Sequence, residues 1–90
     1  MKDYINTSHG NAVIERPRED AQNARVYVSL DSDLAILMPQ VERLARERGV
    51  ISILIETRTT RLEIPSLTEL GYTYVRSKPN NKVLMAKILK

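Results

Sequence analysis

Ninety residues with 42% hydrophobic and 28% charged content set the scale of one ordinary globular domain. The absence of cysteine excludes disulfides and thiolate zinc sites, and no apolar run nears the roughly 18 residues of a membrane span. Lys and Arg number 14 against 11 Asp and Glu, and the resulting +3 is spread along the chain, as on a solvated surface. A reducing, cytoplasmic setting is the expectation.

Residues 1–9 are polar and unpatterned, which predicts a flexible N-terminal tail before a single domain over 10–90. Ala12 to Arg16 suits a short strand ended by Pro17, and residues 18–23 form a loop of hairpin length. From Arg25 to Leu30 the chain alternates, with Val26, Val28 and Leu30 on one side, as in a half-buried strand antiparallel to the first. Asp31, Ser32 and Asp33 then offer N-cap side chains. Leu34, Leu37, Met38, Val41, Leu44 and Ala45 recur at helical spacing, and Gly49 follows where a helix stops. Pro39 lies inside that pattern. The unbroken apolar spacing favours a helix starting near Asp33, kinked or opened with a 3₁₀ turn, over one starting at Pro39.

Val50 to Ile55 is a nearly continuous apolar run, which predicts an interior strand covered on both faces and parallel to the Val26–Leu30 strand. A polar loop over 56–60 leads to Leu62, Ile64, Leu67 and Leu70, a short second helix interrupted by Pro65 and stopped by Gly71. Tyr72 to Ser77 and Val83 to Leu89 read as strands around a turn at Lys78–Asn81. The predicted fold is α/β: a mixed sheet of about five strands with two helices, in the order β-β-α-β-α-β-β.

From Gly10 onward this order resembles the C-terminal two-thirds of the Gcn5-related N-acetyltransferase (GNAT) family, without its opening strand and helices. Leu37-Met38, Val41, Ala45 and Gly49 match the aliphatic pair, aliphatic, Ala and terminal Gly of the family's first-motif helix. Leu70-Gly71-Tyr72 is similar to the Leu-Gly-Phe/Tyr that ends its second helix. The resemblance implies an acyl-CoA pyrophosphate loop, Arg/Gln-x-x-Gly-x-Gly/Ala, on Ser29, Leu30, Asp31, Ser32, Asp33 and Leu34. That segment has no glycine and no basic residue, and its two carboxylates oppose a phosphate at a helix N-terminus. The family's thiolate-protonating Tyr falls on Leu67, and the Asn a turn earlier on Thr60. No catalytic residue, metal or acyl-CoA use is expected.

The remaining candidates have plain readings. His9 lies alone in the tail, Asp31 and Asp33 read as caps before a cation site, and Thr57, Thr59 and Thr60 have no base beside them. Arg43, Arg46, Arg48, Arg58 and Arg61, with Tyr27, Tyr72 and Tyr74, could sketch a small nucleic-acid surface. Glu42 and Glu47 dilute the helix charge, however, and strand tyrosines more often pack, so nucleic acid is one alternative and not the expected partner. An acetyl-CoA-dependent N-acetyltransferase with an atypical loop is the other. The preferred expectation is a GNAT-like interaction or structural module, a pseudoenzyme of the kind known among tailed-phage products. Without further strands, Asn11, Ala12, Val13 and Ile14 are expected to leave an open sheet edge for a partner protein or a second copy. A folded-back tail, with Asp3 to Asn6 as a covering strand, would close it.

Overall fold

The computed structural model describes residues 1–29, 32–58 and 63–89. Six strands and two helices follow one another as β1 (Lys2–Thr7), β2 (Gly10–Glu15), β3 (Asn23–Val28), α1 (Leu34–Glu47), β4 (Ser52–Arg58), α2 (Glu63–Glu69), β5 (Thr73–Lys78) and β6 (Lys82–Ile88). They form one sheet in the order β1-β2-β3-β4-β6-β5. Only β3 and β4 run parallel, as expected for strands joined through a helix. Among the described residues no helix is long and apolar enough to cross a membrane.

The N-terminal residues are not a tail. β1 pairs with β2 from Lys2↔Glu15 to Thr7↔Gly10, so the sheet has six strands and the folded-back alternative holds. Its alternation is real but mostly polar: Asp3, Ile5 and Thr7 are half-buried, while Lys2, Tyr4 and Asn6 face solvent. Ile5 is the one aliphatic residue on the inward side, too weak a pattern to mark a strand. Asp3 supplies the anchor instead, pairing with Arg16 at 3.2 Å and Arg48 at 3.3 Å.

Both helices pack on one face of the sheet. The core there joins Ile14, Val26, Ile53, Ile55 and Met85 to Leu37, Met38, Val41, Ala45 and Leu67. Ile53 is fully buried on an interior strand. β4 is nevertheless covered by helices on one side only. Ile53, Ile55 and Thr57 are buried, whereas Ser52, Leu54 and Glu56 on the other side are half-buried among neighbouring strands. A one-sided layer thus accounts for a run that reads as two-sided in sequence.

Helix α1 begins after Asp33 and continues through Pro39, which stands exposed on its outer surface. It ends in a Schellman turn, with Gly49 at φ +79°, Val50 N–H donating to the Ala45 carbonyl at 2.9 Å and Gly49 N–H to that of Arg46 at 3.0 Å. Helix α2 repeats the device: Gly71 takes φ +94° and Tyr72 N–H donates to the Leu67 carbonyl at 2.9 Å. Pro65 does not interrupt α2. It is the third helical residue, in the first turn, where its missing N–H breaks no helical bond. Asn80 and Asn81 both adopt left-handed φ, the geometry of a tight hairpin turn between β5 and β6.

The helix-free face has a regular layout because the registers line up. Lys2, Glu15, Arg25, Leu54, Ala86 and Thr73 form one row across all six strands. Tyr4, Val13 and Tyr27 form the next row on β1, β2 and β3. Among the described side chains, the charged ones of this face are Lys2, Arg25, Arg76, Lys78 and Lys82 against Glu15 and Glu56.

Candidate functional site

The parallel pair is short. β3 and β4 pair only from Asn23↔Ser52 to Val26↔Ile55. Beyond that, β4 runs on to Arg58 paired with β6, while β3 continues through Tyr27 and Val28 beside β2. The two strands therefore part at their C-terminal ends, the end at which open α/β sheets place ligands. The N-terminus of α1 lies at the end of the connection from β3, so the first N–H groups of the helix mark the same end.

The segment between β3 and α1 is fastened to the β1–β2 hairpin. Ser29 N–H donates to the Asn11 carbonyl at 2.9 Å, and Asn11 N–H donates to Ser29 Oγ at 3.0 Å. Ser32 Oγ lies 2.9 Å from Ser29 Oγ and donates to the Ser29 carbonyl at 2.7 Å. Asp33 N–H donates to the His9 carbonyl at 2.7 Å. The close approach is made possible by Gly10, which sits at φ +137° and has no Cβ. One placed there would stand 2.6 Å from Ser32 Cβ.

Of the residues singled out in sequence, Ser29, Ser32, Asp33 and Leu34 come together here. Leu30, Asp31 and Thr59 to Leu62, Thr60 among them, lie outside the described residues. Asp33 is the N-cap, yet its side chain makes no capping hydrogen bond, so the cap role expected of it is filled by backbone alone. Its carbonyl accepts the Leu37 N–H at 2.8 Å. Leu34 is in the core, as is Leu67, which is fully buried. His9 is exposed in the β1–β2 turn and acts through its carbonyl. Thr57 is buried on β4. The open edge expected at Asn11 to Ile14 is absent, since these residues pair with β1 on one side and β2 pairs onward with β3 on the other. Gly10 was legible only as the start of a strand, because what demands a glycine there is Ser32, 22 positions away.

Two charged clusters went unread in the sequence. On the helix face, Glu42 is buried on α1 and accepts from Tyr72 Oη at 3.1 Å and Lys87 Nζ at 2.9 Å. Burial, with the adjacent Glu42 charge, pushes the Tyr72 hydroxyl well above its usual range. On the open face, Lys78 at 2.8 Å and Lys82 at 3.2 Å bracket Glu56 and hold its carboxyl below the usual range. Their partners are 30 to 45 positions apart or meet across strand registers, so spacing alone gives no sign of them.

No family model and no curated protein matches the chain. Solved structures do. Ard1 from Thermoplasma volcanium is 22% identical with a TM-score of 0.75, over 90% of this chain and 63% of that one. The GNAT domain of S. lividans PAT is 19% identical with a TM-score of 0.75, over 89% and 53%. A ribosomal-protein-alanine N-acetyltransferase from Brucella melitensis is 18% identical with a TM-score of 0.68, over 96% and 67%. The chain has the GNAT fold, and it spans little more than half to two-thirds of the length of these proteins.

The acyl-CoA that such a fold implies can be tested against the residues present. A pyrophosphate needs free N–H groups and no nearby negative charge. Here Ser32 fills the space beside Gly10, the Asp33 N–H is already committed to His9, and the Asp33 carboxylate stands at the N-cap. The described residues of this segment, Ser29, Ser32 and Asp33, do not fit a pyrophosphate.

Proposed function

We propose that this chain is a non-catalytic binding module built on the GNAT fold, with the acyl-CoA loop replaced by a closed clasp. The observation that carries this reading is the clasp itself, in which Ser29 and Ser32 bond to each other while Ser29 and Asp33 bond to the β1–β2 hairpin. Backbone donors spent on protein acceptors are unavailable to a ligand unless the clasp opens. Leu67 supports the same reading. Where the resemblance places a proton donor, the chain has an apolar side chain sealed in the core.

A second reading, an acetyl-CoA-dependent N-acetyltransferase with an atypical loop, is favoured by one feature, the parted ends of β3 and β4. Amide spectra separate the two. Titration with CoA leaves the Ser32, Asp33 and Ala35 amide resonances unmoved if the chain is a binding module. Saturable shifts confined to those amides favour the transferase.

A further inference from the structure

We propose that the helix-free face of the sheet binds single-stranded nucleic acid. The proposal rests on the reading of the chain as a binding module and names its partner, but it uses none of the clasp residues. Charge selects the class of partner. Among the described side chains, five basic ones meet two acidic ones on this face; Lys2, Lys78 and Lys82 pair with Glu15 and Glu56, and Arg25 and Arg76 are exposed with no ion pair to any described residue. A second copy docking face to face would bring like charge onto like charge, so the occupant is an anion.

Aromatic side chains select within that class. Tyr4 is 63% exposed and Tyr27 45%, in one row with Val13 between them. Two strand spacings set them roughly 9–10 Å apart, flat rings available to unpaired bases. Beside Arg25 the face deepens into a hollow of about 490 Å³ lined by Pro17, Asn23 and Leu54, with Glu15, the partner of Lys2, at its side. Asn23 Oδ1 accepts the Ser52 hydroxyl, which leaves its amide N–H₂ to donate to a base edge. Stacking rings, two unpaired guanidinium groups and a side-chain amide in a hollow form a platform for splayed bases. An acidic protein would use the charge but has no need of the rest.

Fluorescence anisotropy of a labelled 20-nucleotide oligo-dT or oligo-U at about 50 mM salt tests this. Binding is expected in the micromolar range typical of contacts carried by phosphates. Two to five phosphate contacts predict a slope of log K against log salt of about −1.5 to −3.5. Tyr27→Ala is expected to weaken binding about 5- to 100-fold, as for the loss of one stacked base, with Tyr27→Phe retaining it. Arg76→Glu, a surface change that leaves the fold intact, weakens it at least as much, and Arg43→Ala on the helix side leaves it unchanged. Oligonucleotide binding that depends on Tyr27 and Arg76 supports the proposal even where acetyl-CoA also binds, a result that would overturn the non-catalytic reading alone. No anisotropy change up to about 100 µM protein overturns the proposal, as does binding indifferent to both Tyr27→Ala and Arg76→Glu. Equal competition by polyglutamate overturns the nucleic-acid assignment in favour of an acidic protein.

Discussion

Tyr72 donates its phenolic hydrogen to Glu42 Oε2 at 3.1 Å, tying the residue before β5 to the middle of α1. Lys87 of β6 reaches the other carboxylate oxygen at 2.9 Å, donates to the Leu70 carbonyl at 2.6 Å, and lies 5.5 Å from the Tyr72 ring centroid. One buried carboxylate therefore joins the first helix to the end of the second and to the closing hairpin. Removing Tyr72 Oη leaves Glu42 short of a donor where water cannot replace it. Tyr72→Phe is expected to cost about 1–3 kcal/mol in urea unfolding, and Glu42→Ala, which strands Lys87, about 3–5 kcal/mol.

The same pair sets a pH dependence. The Tyr72 hydroxyl is raised above its usual range by burial and by Glu42, so the folded protein keeps that proton when the unfolded chain has released it. Its contribution is complete below an unfolded pKa of about 10 and falls above it, by up to about 1.4 kcal/mol per pH unit. Unfolding curves at pH 9, 10 and 11 check this. Wild type loses stability over that range more steeply than Tyr72→Phe.

Arg16 is 4% exposed and depends on Asp3 of β1, 3.2 Å away, and on the Glu19 carbonyl. Asp3→Ala leaves a buried guanidinium without its counter-charge and removes the anchor of the first strand. A loss of about 3–5 kcal/mol is expected. Hydrogen exchange should show it first at the β1 amides and then at Val13, with β4 and β6 keeping their protection.

Gly10→Ala tests the clasp between the hairpin and the segment before α1. It adds left-handed strain, of order 1–3 kcal/mol, to a clash with Ser32. Pairing it with Ser32→Gly relieves the clash but not the strain. The double variant should therefore recover part of the lost melting temperature, whereas independent sites would show summed losses.

Most of the fold was legible because its signals are local. The face of Leu37, Met38, Val41 and Ala45, the stops at Gly49 and Gly71, and the Asn80-Asn81 turn each lie within a few residues of what they determine. β1 was not legible. Its apolar content rests on Ile5, and its anchor is an ion pair from Asp3 to Arg16 and Arg48, 13 and 45 positions away. The candidate site was legible in its chemistry, since an acidic, glycine-free segment is visible in sequence. How that segment is held was not, because Gly10 and His9 come to it from the opposite end of two strands.

Leu67 bears on whether an enzyme can be rebuilt. It is fully buried among core residues, so Leu67→Ala should cost about 2–5 kcal/mol. Leu67→Tyr, which restores the residue type the resemblance places there, should overpack the core by about 1–3 kcal/mol and bring no acetyl transfer to amines. A thiol-release assay alongside thermal melting checks both halves.

The most direct test of the non-catalytic reading is calorimetric titration of the purified chain with acetyl-CoA. With the Asp33 N–H held by His9 and a carboxylate at the start of α1, no saturable heat is expected up to about millimolar ligand, an affinity weaker than about 4 kcal/mol. Saturable binding at micromolar acetyl-CoA would contradict it.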